Sequence, residues 1–316
     1  MTRAARTLGG RGLFAVALLA LAALARAEAP DALPASAPVV DAPLALAGTL
    51  AKARNSGRIA IGYRQASLPF SYAAAGKEPV GYSIDICRAL AAAIGTAVNR
   101  ALALQWVPVT PETRVDAVVD GRIDLECGST TNNVERRRRV AFSPTIFVAG
   151  TKLMVKKGSP IRSFRDLAGR TVVVTRGTTN EKAMRDLMQR FGLAFQLTEM
   201  PDHDESFAAL ASGRADAFAT DDVLLYGLIA ERGGRGAYDV VGDFLSYDPY
   251  GIMFRRDDPA LARVVNDTLH RMAAAGDIER LYERWFLSKL PSGASLDLPM
   301  SAQLATILET MANTAE

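Results

Sequence analysis

Two short stretches concentrate hydroxyls, free backbone amides and fixed positive charge in a way suited to holding an anion. The first is ECGSTTNNVERRRR, residues 126–139. It sets Ser129, Thr130, Thr131 and Asn132, all good helix-capping types, after the strand-like run RIDLEC and ahead of an expected helix. Unpaired N–H groups at a helix start attract a carboxylate or phosphate, and Arg136, one turn in, can close a fork on the same anion. The other three arginines are expected to face water, the ordinary fate of a basic run. The second stretch, RGTTNE at 176–181, follows the strand-like RTVVVT and has the Thr178/Glu181 spacing of a capping box. Alone, a capping box only starts a helix; facing another hydroxyl-rich helix start, it becomes half of a shared anion site.

Residues placed this way need strands that end at a common edge. Strands are predicted at 58–63, 103–109, 122–127, 170–175, 195–200 and 215–220, and helices near 83–94, 112–119, 181–191, 205–211, 221–230 and 258–275. Such alternation predicts an α/β fold with mostly parallel sheets. The order also repeats. GRIAIGYR (57–64) aligns with GRTVVVTR (169–176), and RVDAVVDGRIDLECGS (114–129) with SFAALASGRADAFATD (206–221), which predicts two similar lobes. Arg64 then falls opposite Arg176 and Ser129 opposite Asp221, all just beyond the carboxyl ends of strands, where open α/β sheets bind ligands. The runs TIFVAGTKLMVKK (145–157) and VVGDFLSYDPYGIMFRRDD (240–258) read as two extended crossings between lobes, a hinge. The expected organisation is a discontinuous lobe one, 49–146 with 246–316, and an inserted lobe two, 147–245.

At 316 residues and 49% hydrophobic content the chain can bury substantial cores. Residues 1–27 combine Arg3, Arg6 and Arg11, an apolar run shorter than a bilayer span, and small residues at Ala25 and Ala27, the pattern of a cleaved secretory signal. Residues 28–48 read as an Ala/Pro-rich mobile leader. Removing 1–27 takes away four arginines and no acid, so the net charge of +3 becomes 33 − 34 = −1, which argues against a nucleic-acid partner. Cys87 and Cys127 are either bridged, as an oxidising compartment favours, or two buried thiols. His203 and His270 share no ligand spacing with them, so no metal site is expected.

From about Leu46 onward the chain resembles the bacterial periplasmic solute-binding proteins for polar amino acids, especially the branch serving glutamate and aspartate in ABC importers. The resemblance rests on GYSIDIC (81–87), ECGSTTNNVER (126–136), AFSPTIFVAGTKLMVKKGS (141–159), DLAGRTVVVTRGTTNE (166–181), DHDESF (202–207) and FATDDVLL (218–225). It implies a type II periplasmic-binding-protein fold, two α/β lobes joined by a two-stranded hinge and closing on one amino acid. By similarity Arg136, Thr131 and Thr179 hold the α-carboxylate, Ser129 adds backbone or hydroxyl contacts, and Asp221 holds the α-ammonium, with Asp222 one residue away as an exchangeable candidate. The matching positions for a cationic cluster at the side-chain carboxylate are Arg64, Arg114 and His203. A neutral amide would leave buried charges unpaired, so acidic amino acids are expected to win. Pro111 stands where this branch usually has Ser, which removes one side-chain hydrogen bond and leaves the choice between aspartate and glutamate open. Tyr63 and Phe70 either line the cleft or belong to the core.

The expected function is a periplasmic, monomeric receptor that captures L-glutamate or L-aspartate without a cofactor and presents it to an inner-membrane ABC permease. The alternative is a periplasmic enzyme on the same fold, such as a cyclohexadienyl-type dehydratase, which needs a poised acid or base in the cleft. A sensor domain or the ligand module of a cell-wall enzyme needs a further domain or a membrane span. Residues 288–316 are too few for one and are expected to pack on lobe one.

Overall fold

The computed structural model describes residues 46–73, 77–232 and 236–314. The expected signal, 1–27, and nearly all of the expected leader lie outside the described residues; Gly48, the last leader position, already begins an unpredicted helix, Gly48–Ser56.

Two five-stranded sheets carry the fold, and they repeat one plan. In the first, Ala103–Pro108, Arg58–Tyr63 and Leu125–Glu126 run parallel, followed by antiparallel Met253–Arg255 and then Val140–Phe142. In the second, Gln196–Met200, Thr171–Thr175 and Ala217–Asp221 run parallel, followed by antiparallel Thr151–Lys156 and Tyr238–Val241. The two aligned opening strands, from GRIAIGYR and GRTVVVTR, each occupy the second place, flanked by equivalent neighbours. The internal repeat is thus structural.

The first sheet takes its fourth strand from beyond the second sheet, so the chain crosses twice. Phe147–Ala149 and Asp248–Tyr250 pair antiparallel at the crossing. Aromatic packing ties this ribbon to the first lobe. Phe70, buried completely, meets Phe147, Tyr250 and Phe286 at ring separations of 4.9, 5.1 and 5.5 Å. Phe70 is therefore core, while Tyr63 is half-buried against Trp106.

Helix Tyr82–Ala97 presents Ile86, Cys87, Leu90, Ala91 and Ile94 to the first core. It begins after Gly81, whose φ of 141° and tight approach to Phe70 O, 2.2 Å from an added Cβ, admit glycine alone. Helix Ala302–Asn313 packs through Leu304, Leu308 and Met311 on the first-lobe side, against Pro259–Ala274, as expected for the tail.

Cys87 and Cys127 form a disulfide across 40 residues. It anchors the segment leading into Gly128–Thr131 to the helix behind it. Closing a loop of that length in the unfolded chain stabilises by about 4 kcal/mol in the entropic limit, and bridges commonly deliver about 2–4 kcal/mol. Replacing both cysteines by alanine is expected to lower the unfolding free energy by about 3 kcal/mol, read as a lower urea midpoint.

Candidate functional site

Each of the six parallel strands delivers a predicted residue at or just beyond its carboxyl end. Arg64 follows Arg58–Tyr63, Arg114 opens the helix Arg114–Val119 after Ala103–Pro108, and Ser129 and Thr131 follow Leu125–Glu126. In the second sheet Thr179 opens a helix after Thr171–Thr175, His203 opens one after Gln196–Met200, and Asp221 ends Ala217–Asp221. The two edges meet directly. Thr131 Oγ1 lies 3.2 Å from Thr179 Oγ1, and Arg176 reaches across to Glu112 at 3.9 Å. Gly177 permits this approach, since an added Cβ would stand 3.0 Å from Glu112 N.

Arg136 spans the same junction. Its Nη1 donates to Thr131 O at 2.9 Å and its Nη2 to Gly177 O at 3.5 Å. Burial and repulsion from Arg114, offset by Glu126, Asp248 and Asp221, draw its pKa down to about 9. The cap preceding it differs from expectation. The helix is only Val134–Arg137, and its cap is Asn133, whose Oδ1 accepts from Arg136 N at 2.8 Å. Thr130, Thr131 and Asn132 stay extended, because Thr131 bridges to Tyr250 and Asn132 N donates to Pro249 O at 2.7 Å. Pairing with the hinge ribbon overrides their capping preference. In the second stretch Thr178 does cap, accepting from Glu181 N at 3.1 Å, but Glu181 reaches back to Gly177 N, 2.8 Å, one residue earlier than the box spacing implies. Arg137, Arg138 and Arg139 are exposed, as expected.

The side-chain end is a cluster of buried cations. Arg64 and Arg114 are each 2% exposed. The Arg64 guanidinium makes no hydrogen bond or ion pair among the described residues, and burial, then Arg114, bring its pKa down to about 9 against the opposing pull of Glu126 and Asp202. Arg114 Nη1 donates to Thr130 Oγ1 at 2.6 Å and to Ser129 O at 3.4 Å, while its buried Nε lacks a partner among the described residues. Arg176, the counterpart of Arg64 in the repeat, is instead exposed and paired with Glu199 at 3.1 Å.

His203 lies at the same end of the site. It is 2% exposed with Nδ1 2.7 Å from Thr175 Oγ1, and burial beside Arg64 and Arg114 holds its pKa well below the ordinary value. Both influences favour the neutral ring over the charged one.

Asp221 and Asp222 divide clearly. Asp221 is 3% exposed and accepts hydrogen bonds from Asn180 Nδ2 at 2.7 Å and from Tyr250 OH. Burial and Asp248 push its pKa up to about 7 despite those donors. Asp222 is less buried and faces Gly150 N at 3.4 Å. Tyr250, Asn180, Thr130 and Glu126 were not predicted as site residues. Thr130 donates to Glu126 Oε2 at 2.6 Å, so Glu126 holds Arg114 through it, and Glu126 Oε1 is buried without a hydrogen-bond partner among the described residues. The one sequence signal was an acid opening ECGSTT beside an anion motif; Tyr250 gave none, since its position depends on hinge pairing.

The family model for bacterial extracellular solute-binding proteins, family 3, matches residues 59–288. The glutamate/aspartate import solute-binding protein of Escherichia coli (strain K12) is 39% identical over 88% of this chain and 89% of its own length. The L-glutamate/L-aspartate-binding protein of Pseudomonas aeruginosa is 40% identical over 86% and 91%. Among solved structures, an ancestral amino acid-binding protein, a precursor of cyclohexadienyl dehydratase, superposes with a TM-score of 0.66 at 30% identity over 75% of this chain and 99% of that one. With a matching model across most of its length, relatives of this similarity and the two-lobed fold, the chain belongs to family 3 of the bacterial extracellular solute-binding proteins.

Proposed function

We propose that this protein is the periplasmic receptor of an ABC importer for L-glutamate and L-aspartate, carrying no enzymatic activity. The observation that carries the reading is the pair of buried cations Arg64 and Arg114, each 2% exposed, with Arg114 Nε lacking a partner among the described residues. A second ligand carboxylate supplies the missing partner; an amide does not, and leaving such cations unpaired costs about 2–5 kcal/mol. Arg136, Thr131, Thr179 and Ser129 take the α-carboxylate and Asp221 the α-ammonium. The lobes, bounded at 49–146 with 246–316 and at 147–245, close about the Phe147–Ala149/Asp248–Tyr250 ribbon.

Asp221 sets a pH dependence. Its ionised form holds the ammonium, and with a pKa raised to about 7 it gains protons in the empty site as pH falls below that value. Its contribution to affinity therefore weakens with acidification, by up to about tenfold per pH unit. Asp221→Asn is expected to bind weakly and to lose this component, measured by titration between mildly acidic and mildly alkaline pH.

Receptor and enzyme separate in one pair of assays. Excess L-glutamate is expected to raise the melting temperature, since a ligand at about 1,000 times its Kd adds about 4 kcal/mol to the folded state. A cyclohexadienyl substrate is expected to be left unchanged. Turnover of that substrate without a glutamate shift would replace this reading with the dehydratase one.

A further inference from the structure

The hydrogen bonds around His203 fix where its proton sits. Nδ1 lies 2.7 Å from Thr175 Oγ1, which lies 2.9 Å from Ser206 Oγ, which donates to the Asp202 carbonyl at 2.8 Å. A carbonyl only accepts, so Ser206 spends its single proton on Asp202. The Thr175–Ser206 bond must then use the Thr175 proton, and the His203–Thr175 bond must use a proton on Nδ1. A neutral ring protonated at Nδ1 presents a lone pair at Nε2. That nitrogen forms no hydrogen bond among the described residues.

A bare lone pair opposes a carboxylate oxygen. Resting on the functional reading above, which sets the ligand's side-chain carboxylate among Arg64, Arg114 and His203, we propose that binding an acidic amino acid draws one proton from solvent onto His203 Nε2. The ring becomes a charged donor to that carboxylate while Nδ1–H keeps its bond to Thr175. The relay through Thr175 and Ser206 makes these two positioning residues: they deny the neutral ring the other tautomer, in which Nε2–H would meet the ligand without proton uptake.

The charges around the ring give the direction. From the first lobe Arg64 and Arg114 face it, with Glu126 behind them, and Asp202 caps its own helix. In the empty site the two guanidiniums and burial oppose a further positive charge. An arriving carboxylate reverses that balance, whereas an amide brings no charge and takes up no proton. The acid's affinity accordingly falls by up to about tenfold per pH unit as pH rises through the pKa that His203 has in the complex. This is opposite in sign to the Asp221 effect, so a bulk pH profile mixes the two and a site-resolved measurement is required.

Long-range proton–nitrogen NMR on the full chain labelled at its two histidines, His203 and His270, provides it, with His270→Gln assigning the signals. Near neutral pH the free protein is expected to show His203 neutral with its proton on Nδ1, and saturation with L-glutamate to protonate both nitrogens. Calorimetry in buffers of different ionisation enthalpy, wild type minus His203→Gln, is expected to give uptake approaching one proton. Thr175→Val is expected to move the neutral ring's proton to Nε2 and abolish the uptake; if that variant does not fold, the wild-type spectra decide. A neutral His203 in the glutamate-saturated protein, or a proton on Nε2 in the free one, overturns the proposal. Absence of any binding of acid sinks the functional reading and the proposal with it, and is distinguishable because the free-state tautomer is still read.

Discussion

Replacing Arg136 by alanine is expected to weaken L-glutamate and L-aspartate binding alike, by roughly 100- to 1,000-fold, or about 3–4 kcal/mol. The α-carboxylate is common to both ligands, so their ratio should stay nearly constant while both affinities collapse. Arg136 is placed for this by both sheets at once, through Thr131 O at 2.9 Å and Gly177 O at 3.5 Å. Removing it also cuts the hydrogen bonds by which one side chain joins Thr131 to Gly177. Arg136→Lys keeps the charge but loses the planar fork, and is expected to recover only part of the affinity. Competition binding on the folded variants reads the effect; a loss below about fivefold in Arg136→Ala would remove the residue from the α-carboxylate site.

Arg64→Met is expected to move affinity and stability in opposite directions. In the free protein Arg64 is a buried charge beside Arg114 that forms no ion pair among the described residues, and an apolar side chain of similar length in such a place stabilises by about 1–4 kcal/mol. With ligand bound, the same change removes a cation facing the side-chain carboxylate. L-Glutamate affinity is expected to drop about 30- to 1,000-fold, corresponding to about 2–4 kcal/mol, while L-glutamine changes little. A raised urea midpoint with lost acid-over-amide selectivity would identify Arg64 as a residue kept for the ligand at the expense of the fold. A lowered midpoint with unchanged selectivity would make it structural.

Local pattern carried the architecture. The predicted parallel strands at 58–63, 103–109, 170–175 and 195–200 match observed ones to within a residue or two, because alternation and β-branched content act within the strand itself. The 122–127 run shortened to Leu125–Glu126, since Ile123 N turns back to Ala117 O at 3.1 Å and Asp124 exchanges hydrogen bonds with Ala60 partly through its side chain, at 2.7 and 2.8 Å, rather than as a regular ladder. Seven of the eight predicted site residues lie at or just beyond the carboxyl ends of the parallel strands, and the eighth, Arg136, lies in the short helix Val134–Arg137. What stayed hidden was every feature decided by distant partners. Tyr250 reaches Asp221 only because Asp248–Tyr250 pairs with Phe147–Ala149. The side chains of Ser129–Asn132 were read as caps, but pairing with the hinge ribbon holds that segment and leaves the role to Asn133. His203 was placed in the cationic cluster from its company, and that company, two guanidiniums in a buried site, itself lowers the ring's pKa.

Calorimetric titration of the ligand-stripped protein with L-glutamate, L-aspartate, L-glutamine and L-arginine tests the central claim most directly. Saturable tight binding of the two acids, with the amide and the cation silent or far weaker, is the predicted result. Tight binding of L-glutamine or L-arginine with both acids silent would contradict it, and would show that the charges of Arg64 and Arg114 are satisfied by the protein once the lobes close.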